Sequence, residues 1–160
     1  MTRSKFSFYI DISGNSFKPQ EDKFTLPNSF LQGLGLDEDA LLDEVEATTL
    51  LTRHSKFMEL QVTFRTSGSM KCSRCLQSLP LHIERSELFI IKFWEQEPPM
   101  DNDPNLLWLP KGETRLELTS VFSDILLGLL PARFTCAGDE NPRPCDQKVL
   151  EKLSELSVEP

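Results

Sequence analysis

The stretch Met58-Glu59-Leu60-Gln61-Val62-Thr63-Phe64-Arg65 decides how this chain is read. Apolar residues at 58, 60, 62 and 64 alternate with polar ones at 59, 61, 63 and 65. A period of two fits a half-buried β-strand, whose successive side chains point to opposite faces. Downstream, Ser67-Gly68-Ser69 is expected to turn the chain into a short strand carrying Met70 to Cys75. After a second turn near Ser78 to Pro80, the β-prone stretch from Leu81 to Trp94 alternates at Leu81 and Ile83, then at Phe89, Ile91 and Phe93.

The same period appears upstream at Phe6, Phe8, Ile10 and Ile12, ended by Ser13-Gly14-Asn15, and at Val45, Ala47, Thr49 and Leu51. Phe24 and Leu26 suggest a further short strand, and Pro27-Asn28-Ser29 starts a helical turn holding Phe30 and Leu31. The period then changes. Leu118, Val121, Phe122, Ile125, Leu126 and Leu129 fall on the stripe of an amphipathic helix closed by Pro131. A last helix is expected from Asp146, its N-cap, to Leu156, with Val149, Leu150, Leu153 and Leu156 on one face. The fold class is therefore α+β: a mainly antiparallel β-sheet meander packed against the helix 118–129 and a short C-terminal helix. Residues 95–105, with Glu95, Glu97, Asp101, Asp103, Pro98, Pro99 and Pro104, read as a mobile acidic loop. Too little chain follows to build a second core, so 1–160 is expected to be a single domain.

Composition narrows the function. Of 160 residues, 39% are hydrophobic and 26% charged, and the formal net charge is -8, a balance that fits a globular domain. A protein that coats nucleic acid through its overall charge needs an excess of Lys and Arg, so any RNA contact must be local. Acids gather in two runs, Asp37, Glu38, Asp39, Asp43, Glu44 and Glu46, and then the 95–103 loop. From Arg53 to Cys75 the balance reverses: Arg53, Lys56, Arg65, Lys71 and Arg74 face only Glu59. These five are the RNA-binding candidates, beside the plainer reading of solvated strand faces. Met1 to Phe8 lacks the apolar core of a signal peptide, and the apolar run Leu126 to Leu130 is far shorter than the roughly 20 residues of a membrane span. A cytoplasmic protein without a membrane partner is expected.

Four cysteines in such a chain are better read as metal ligands or reduced thiols than as a disulfide framework. Cys72-Ser73-Arg74-Cys75 has the C-x2-C spacing at which two thiolates on a tight turn grip one metal ion; Cys136 and Cys145 lie about 60 residues on. The spacing leaves three readings open: a structural zinc site of all four, a set of reduced buried thiols, or a redox pair at Cys72 and Cys75 flanked by Lys71 and Arg74. His54 and His82 are the only histidines, and neither sits beside a serine or cysteine as base to nucleophile. No phosphate-binding glycine loop is present either, so neither an enzyme nor a small-molecule substrate is indicated.

The run Lys71-Cys72-Ser73-Arg74-Cys75-Leu76, followed by a long strand, an acidic loop and a helix ending Ile125-Leu126-Leu127-Gly128-Leu129-Leu130-Pro131, resembles the YceD family, the large ribosomal RNA subunit accumulation proteins. Members of that family tend to carry a His or Cys shortly after the proline and a further Cys before a terminal helix. Cys136 and Cys145 match those places, and Leu150 to Leu156 is similar to the closing helix of shorter members. The resemblance implies a non-enzymatic role in synthesis, processing or stability of 23S rRNA in bacteria and plastids, with contact to RNA or an assembling particle. A position that accepts either His or Cys also favours zinc over redox exchange. A second reading keeps the same setting without RNA contact: an adaptor whose acidic runs dock a basic ribosomal protein.

Overall fold

The strand begun at Met58 does not turn at Ser67-Gly68-Ser69; it runs unbroken to Lys71 and is the central element of the sheet. The structure is a computed structural model that describes residues 6–36, 40–138 and 142–157, so Asp37, Glu38 and Asp39 of the first acidic run lie outside the described residues. Among the described residues the elements are β1 (Tyr9–Asp11), β2 (Gln20–Leu26), α1 (Asn28–Gly33), β3 (Ala40–Leu42), β4 (Val45–Arg53), β5 (Met58–Lys71), β6 (Ser78–Trp94), β7 (Leu106–Pro110), β8 (Arg115–Glu117), α2 (Thr119–Leu127) and α3 (Gln147–Leu156). The main sheet has the order β2-β4-β5-β6-β7, with β3 on β5 beyond the end of β4, and β1 pairs β8 separately. The α+β class and the antiparallel meander expected from the sequence are both present.

Gly68 explains the missing turn. It pairs Leu81 on one side and Leu42 on the other, and a Cβ there would lie 2.1 Å from the Leu41 carbonyl oxygen and 2.9 Å from Leu42 Cα. Glycine is present for the close approach of β3, which keeps the strand straight instead of ending it. The reversal comes later, at 72–77, and β6 already begins at Ser78, where a turn was expected. β7 is a second difference: Leu106–Pro110 follows the 95–105 loop and pairs β6 in parallel, Ile90 opposite Leu106. Its five-residue run carries no clear period, so the sequence does not announce it.

Helix α2 closes the core as its stripe requires. Leu118, Val121, Phe122, Ile125, Leu126 and Leu129 are all buried against Leu60, Val62 and Phe64 of β5 and Val45, Ala47 and Leu51 of β4. Phe122 is the hub: its ring meets Phe64 at 5.3 Å, Phe8 at 5.4 Å and Phe24 at 5.5 Å between centroids. Tilted and edge contacts of this kind contribute about 0.5–1.5 kcal/mol each beyond simple burial. The N-terminal segment is clasped to the helix start, with Phe8 N donating to Thr119 Oγ1 at 3.1 Å and Leu118 N donating to the Phe8 carbonyl at 2.8 Å. At the other end Arg85 Nη1 donates to the Gly128 carbonyl at 3.0 Å, a cation placed at the negative pole of the helix dipole. α3 begins as read, with Asp146 Oδ1 accepting from Lys148 N at 3.0 Å. Its apolar face is not packed away as expected: Val149 and Leu150 are half-buried, while Leu153 and Leu156 are exposed.

Gly68→Ala should therefore be destabilising by about 1–3 kcal/mol, as for other insertions into space already filled by backbone. Urea denaturation measures it, and a midpoint equal to wild type would show that β3 does not sit where Gly68 places it.

Candidate metal centre

The β5–β6 hairpin ends in the six-residue loop 72–77. Cys72 N donates to the Gln77 carbonyl at 2.8 Å and Leu76 N to the Cys72 carbonyl at 2.9 Å, so the C-x2-C segment is folded back upon itself. The second half of the site arrives after α2. Ser73 N donates to the Phe134 carbonyl at 2.7 Å and Phe134 N to Ser73 Oγ at 3.2 Å, a reciprocal clasp across 61 residues. One 3-10 turn, Cys136–Gly138, follows, and Arg143 N donates to the Cys136 carbonyl at 3.0 Å just before Cys145 and the α3 N-cap.

These contacts bring Cys72, Cys75, Cys136 and Cys145 together, with all four sulfurs within 4.8 Å of one another. Cys72 Sγ lies 3.9 Å from Cys145 Sγ, and Cys75 Sγ lies 3.5 Å from Cys136 Sγ. A tetrahedron of sulfurs about 2.3 Å from a central zinc has edges of about 3.8 Å, whereas a disulfide needs about 2.0 Å. The free thiols are thus spaced for a shared ion. The donor set fits as well, because four soft thiolates in tetrahedral array are the ligands of zinc or iron. Cys72, Cys75 and Cys136 are buried and Cys145 half-buried, walled by Leu79, Phe134 and Val149.

The surrounding backbone favours thiolates at one half of the cluster. Burial pushes the Cys72 thiol up, yet the backbone N–H groups of Cys75, Arg74 and Cys136 outweigh it and hold it at about 6; that of Arg74 lies 3.4 Å from the sulfur. The N–H groups of Asp146 and Gln77 lower Cys75 in the same way. Cys136 is pushed up to about 12 by burial and by the sulfurs beside it, and burial also raises Cys145. A cation at the centre would release the remaining protons, since only deprotonated sulfur ligates.

The five basic candidates do not share one surface. Arg53 is buried, 8% exposed, with Nη2 donating to Gln20 Oε1 at 2.8 Å and the Asp11 carbonyl at 3.4 Å. Its position is legible: Arg53 falls in phase with Val45, Ala47, Thr49 and Leu51, so alternation itself turns it inward. Arg65 points outward between Glu46 and Glu84 and forms an ion pair with Glu84 at 2.9 Å. Lys56 lies in the β4–β5 turn and Lys71 at the far end of β5, a strand roughly 43 Å long at 3.3 Å per residue. Only Lys71 and Arg74 stand together, both exposed beside the cysteine loop. Between Thr66 and Ile83 the chain contains no Asp or Glu.

One feature has no signature in the sequence. Leu76, directly after the second cysteine, has φ +62, the one non-glycine residue in the left-handed region among those described. No family model, curated protein or solved structure matches the chain.

The left-handed conformation costs a non-glycine residue about 1–2 kcal/mol, partly offset in glycine by its freer unfolded state. Since the Leu76 side chain is 67% exposed and leaves little packing to lose, Leu76→Gly should stabilise the protein by about 0.5–1 kcal/mol. The denaturation midpoint of the reduced protein tests this, and a clear loss of stability would mean that the Leu76 side chain contributes packing that outweighs its backbone strain.

Proposed function

We propose that this protein is a zinc-stapled, non-enzymatic accessory factor in the accumulation of 23S rRNA, acting in the cytoplasm during assembly of the large ribosomal subunit. The observation that carries the reading is the convergence of Cys72, Cys75, Cys136 and Cys145 from two distant segments. The resemblance to the YceD family marks those same four positions, and a shared ligand set gives that spacing a physical purpose. Cys72 and Cys75 would hold the ion from the hairpin, and Cys136 and Cys145 from the C-terminal segment. Zinc supplies no reaction here; it supplies a cross-link, because a closed site of four protein ligands leaves no position for substrate. Reduced thiols of the cytoplasm are available for such a site.

The partner in this reading is the assembling particle. A chain of net charge -8 whose cations are dispersed is poorly made to track a long RNA backbone. The arrangement favours docking on a basic ribosomal protein, with Lys71 and Arg74 at the hairpin tip as the RNA contact within the same particle. No helix among the described residues is long and apolar enough to cross a membrane.

Two measurements test the proposal. Protein purified under reducing conditions should contain about one zinc per chain, and its removal by chelator should raise amide exchange in 131–157 before it does so in β4, β5 and β6. Cells lacking the protein should accumulate less mature 23S rRNA relative to 16S rRNA, and the tagged protein should sediment with large-subunit precursors. Normal 23S levels together with an absence from precursor fractions would falsify the functional reading, whatever the metal content.

A further inference from the structure

The four sulfurs differ in access and in neighbour. Two approaches cross between the segments, Cys72 to Cys145 at 3.9 Å and Cys75 to Cys136 at 3.5 Å. Cys145 is half-buried while the other three are buried, so a small oxidant from solvent meets Cys145 first. We propose that Cys145 is an oxidation site and that a peroxide closes the cluster into two disulfides, Cys72–Cys145 and Cys75–Cys136. The redox pair suggested by the sequence, Cys72 with Cys75, is replaced by two bridges that each join the hairpin loop to the C-terminal segment. The inference shares its four residues with the zinc reading, but the pairing follows from where the sulfurs lie, with or without an ion.

The chemistry balances with hydrogen peroxide as the oxidant. Cys145 gives its proton to solvent as its sulfur attacks one peroxide oxygen; the O–O bond breaks, a sulfenic acid forms and hydroxide leaves. The Cys72 thiolate, which accepts a hydrogen bond from Arg74 N, then attacks the Cys145 sulfur. The S–S bond forms, the S–O bond breaks and a second hydroxide leaves; two protons from solvent convert both to water. Two sulfurs have given two electrons to one peroxide. A second peroxide repeats the sequence at Cys75 and Cys136, whose sulfurs lie 3.5 Å apart.

The outcome is a change of staple. Sulfur in a disulfide is a poor ligand for zinc, so the first bridge weakens the site and the second abolishes it. The bridges span 73 and 61 residues and preserve the closure between hairpin loop and C-terminal segment that the thiolates provided. Oxidation thus turns a metal-dependent tie into a metal-independent one between the same two segments.

The test uses the full chain, reduced, in zinc-loaded and metal-free aliquots treated with hydrogen peroxide. Free thiols are alkylated and the protein is digested without reduction. Cleavage after Arg74 and at Asp139-Glu140 puts each cysteine in its own peptide. Mass spectrometry should find 72–145 and 75–136 links in both aliquots, and a chromogenic chelator should register zinc release in the loaded one. Cys145→Ser should slow the first loss of free thiol by roughly tenfold by removing the most accessible sulfur. A 72–75 or 136–145 link as the main product, links between chains, or wild-type oxidation kinetics in Cys145→Ser would each overturn the inference. If the cross-segment links form in a protein that binds no zinc, the metal reading fails and this one stands. If zinc binds and the other links form, the metal reading stands and this one fails. The wild-type link map decides the pairing even if the variant does not fold.

Discussion

The unbroken alternation of β5 is the constraint on which the rest of the molecule depends. Leu60, Val62 and Phe64 put one face of the strand into the core beneath Phe122. The same parity carried forward reaches Thr66, Met70 and then Cys72, all of them buried. A one-residue slip anywhere along the strand would turn every later side chain to the opposite face, moving Cys72 to solvent as surely as it exposed Phe64. The position of a candidate metal ligand is therefore fixed by the packing of a hydrophobic core some distance away. Gly68 is the exception that keeps the rule, because without a side chain it lets β3 approach and leaves the phase intact.

Between the main core and the cysteines lies a smaller contact of Ala40, Met70 and Leu81, with Leu130 and Phe134 packed against it. It connects three parts of the chain: β3, the far half of the hairpin, and the segment leaving α2. Beyond Phe134 the apolar anchors are few. α3 buries no residue fully, and only Val149 among its apolar residues packs against the cysteines. Conformational entropy works against ordering a segment with so little to bury. The reciprocal hydrogen bonds of Ser73 and Phe134 supply part of what the hydrophobic contacts do not. In a segment of this kind a metal or a covalent link changes local order strongly while leaving the sheet nearly untouched.

Where periodicity is strong, the sequence tells most of this. The stripe from Leu118 to Leu129, the Asp146 cap and the alternation at 58–64 all correspond to observed elements. The differences are local and share a cause: a residue type taken in its commonest role. Gly68 between two serines suggests a turn, and only the tertiary approach of Leu41 and Leu42 shows that it serves a strand. Leu153 and Leu156 suggest a buried face, but among the described residues nothing covers them. β7 is hidden because a parallel partner requires a long crossover, and nothing in five apolar residues reveals their neighbour. For the site, C-x2-C gives two candidate ligands directly, whereas Cys136 and Cys145 enter from the cysteine count at looser spacing, with the family resemblance marking the same places. Their convergence depends on contacts such as Ser73 with Phe134 that have no signature in spacing. Arg53 is the instructive case, because its phase along β4 outweighs its charge in deciding where it points.

Phase and charge also explain why the cations are divided as they are. On the outer face of the sheet Arg65 lies between Glu46 and Glu84 across three strands, so its charge is met within the sheet and presents little to a distant partner. The hairpin tip differs: from Thr66 to Ile83 its own sequence has Lys71 and Arg74 and no carboxylate, while Asp43 reaches Ser67 and Asp146 lies beside Cys75. If four thiolates hold a divalent ion there, they leave a net charge of about -2, and the backbone N–H groups around Cys72 and Cys75 spread it. Lys71 and Arg74 then offset that dianion before they attract anything else. On the proposed reading, the tip meets its partner as a nearly neutral, rigid knuckle, and attraction to a basic protein falls to the acidic run that follows Trp94 at the opposite end of β6. Specific fit at the tip, with long-range attraction supplied elsewhere, is the division of labour that the charge distribution supports.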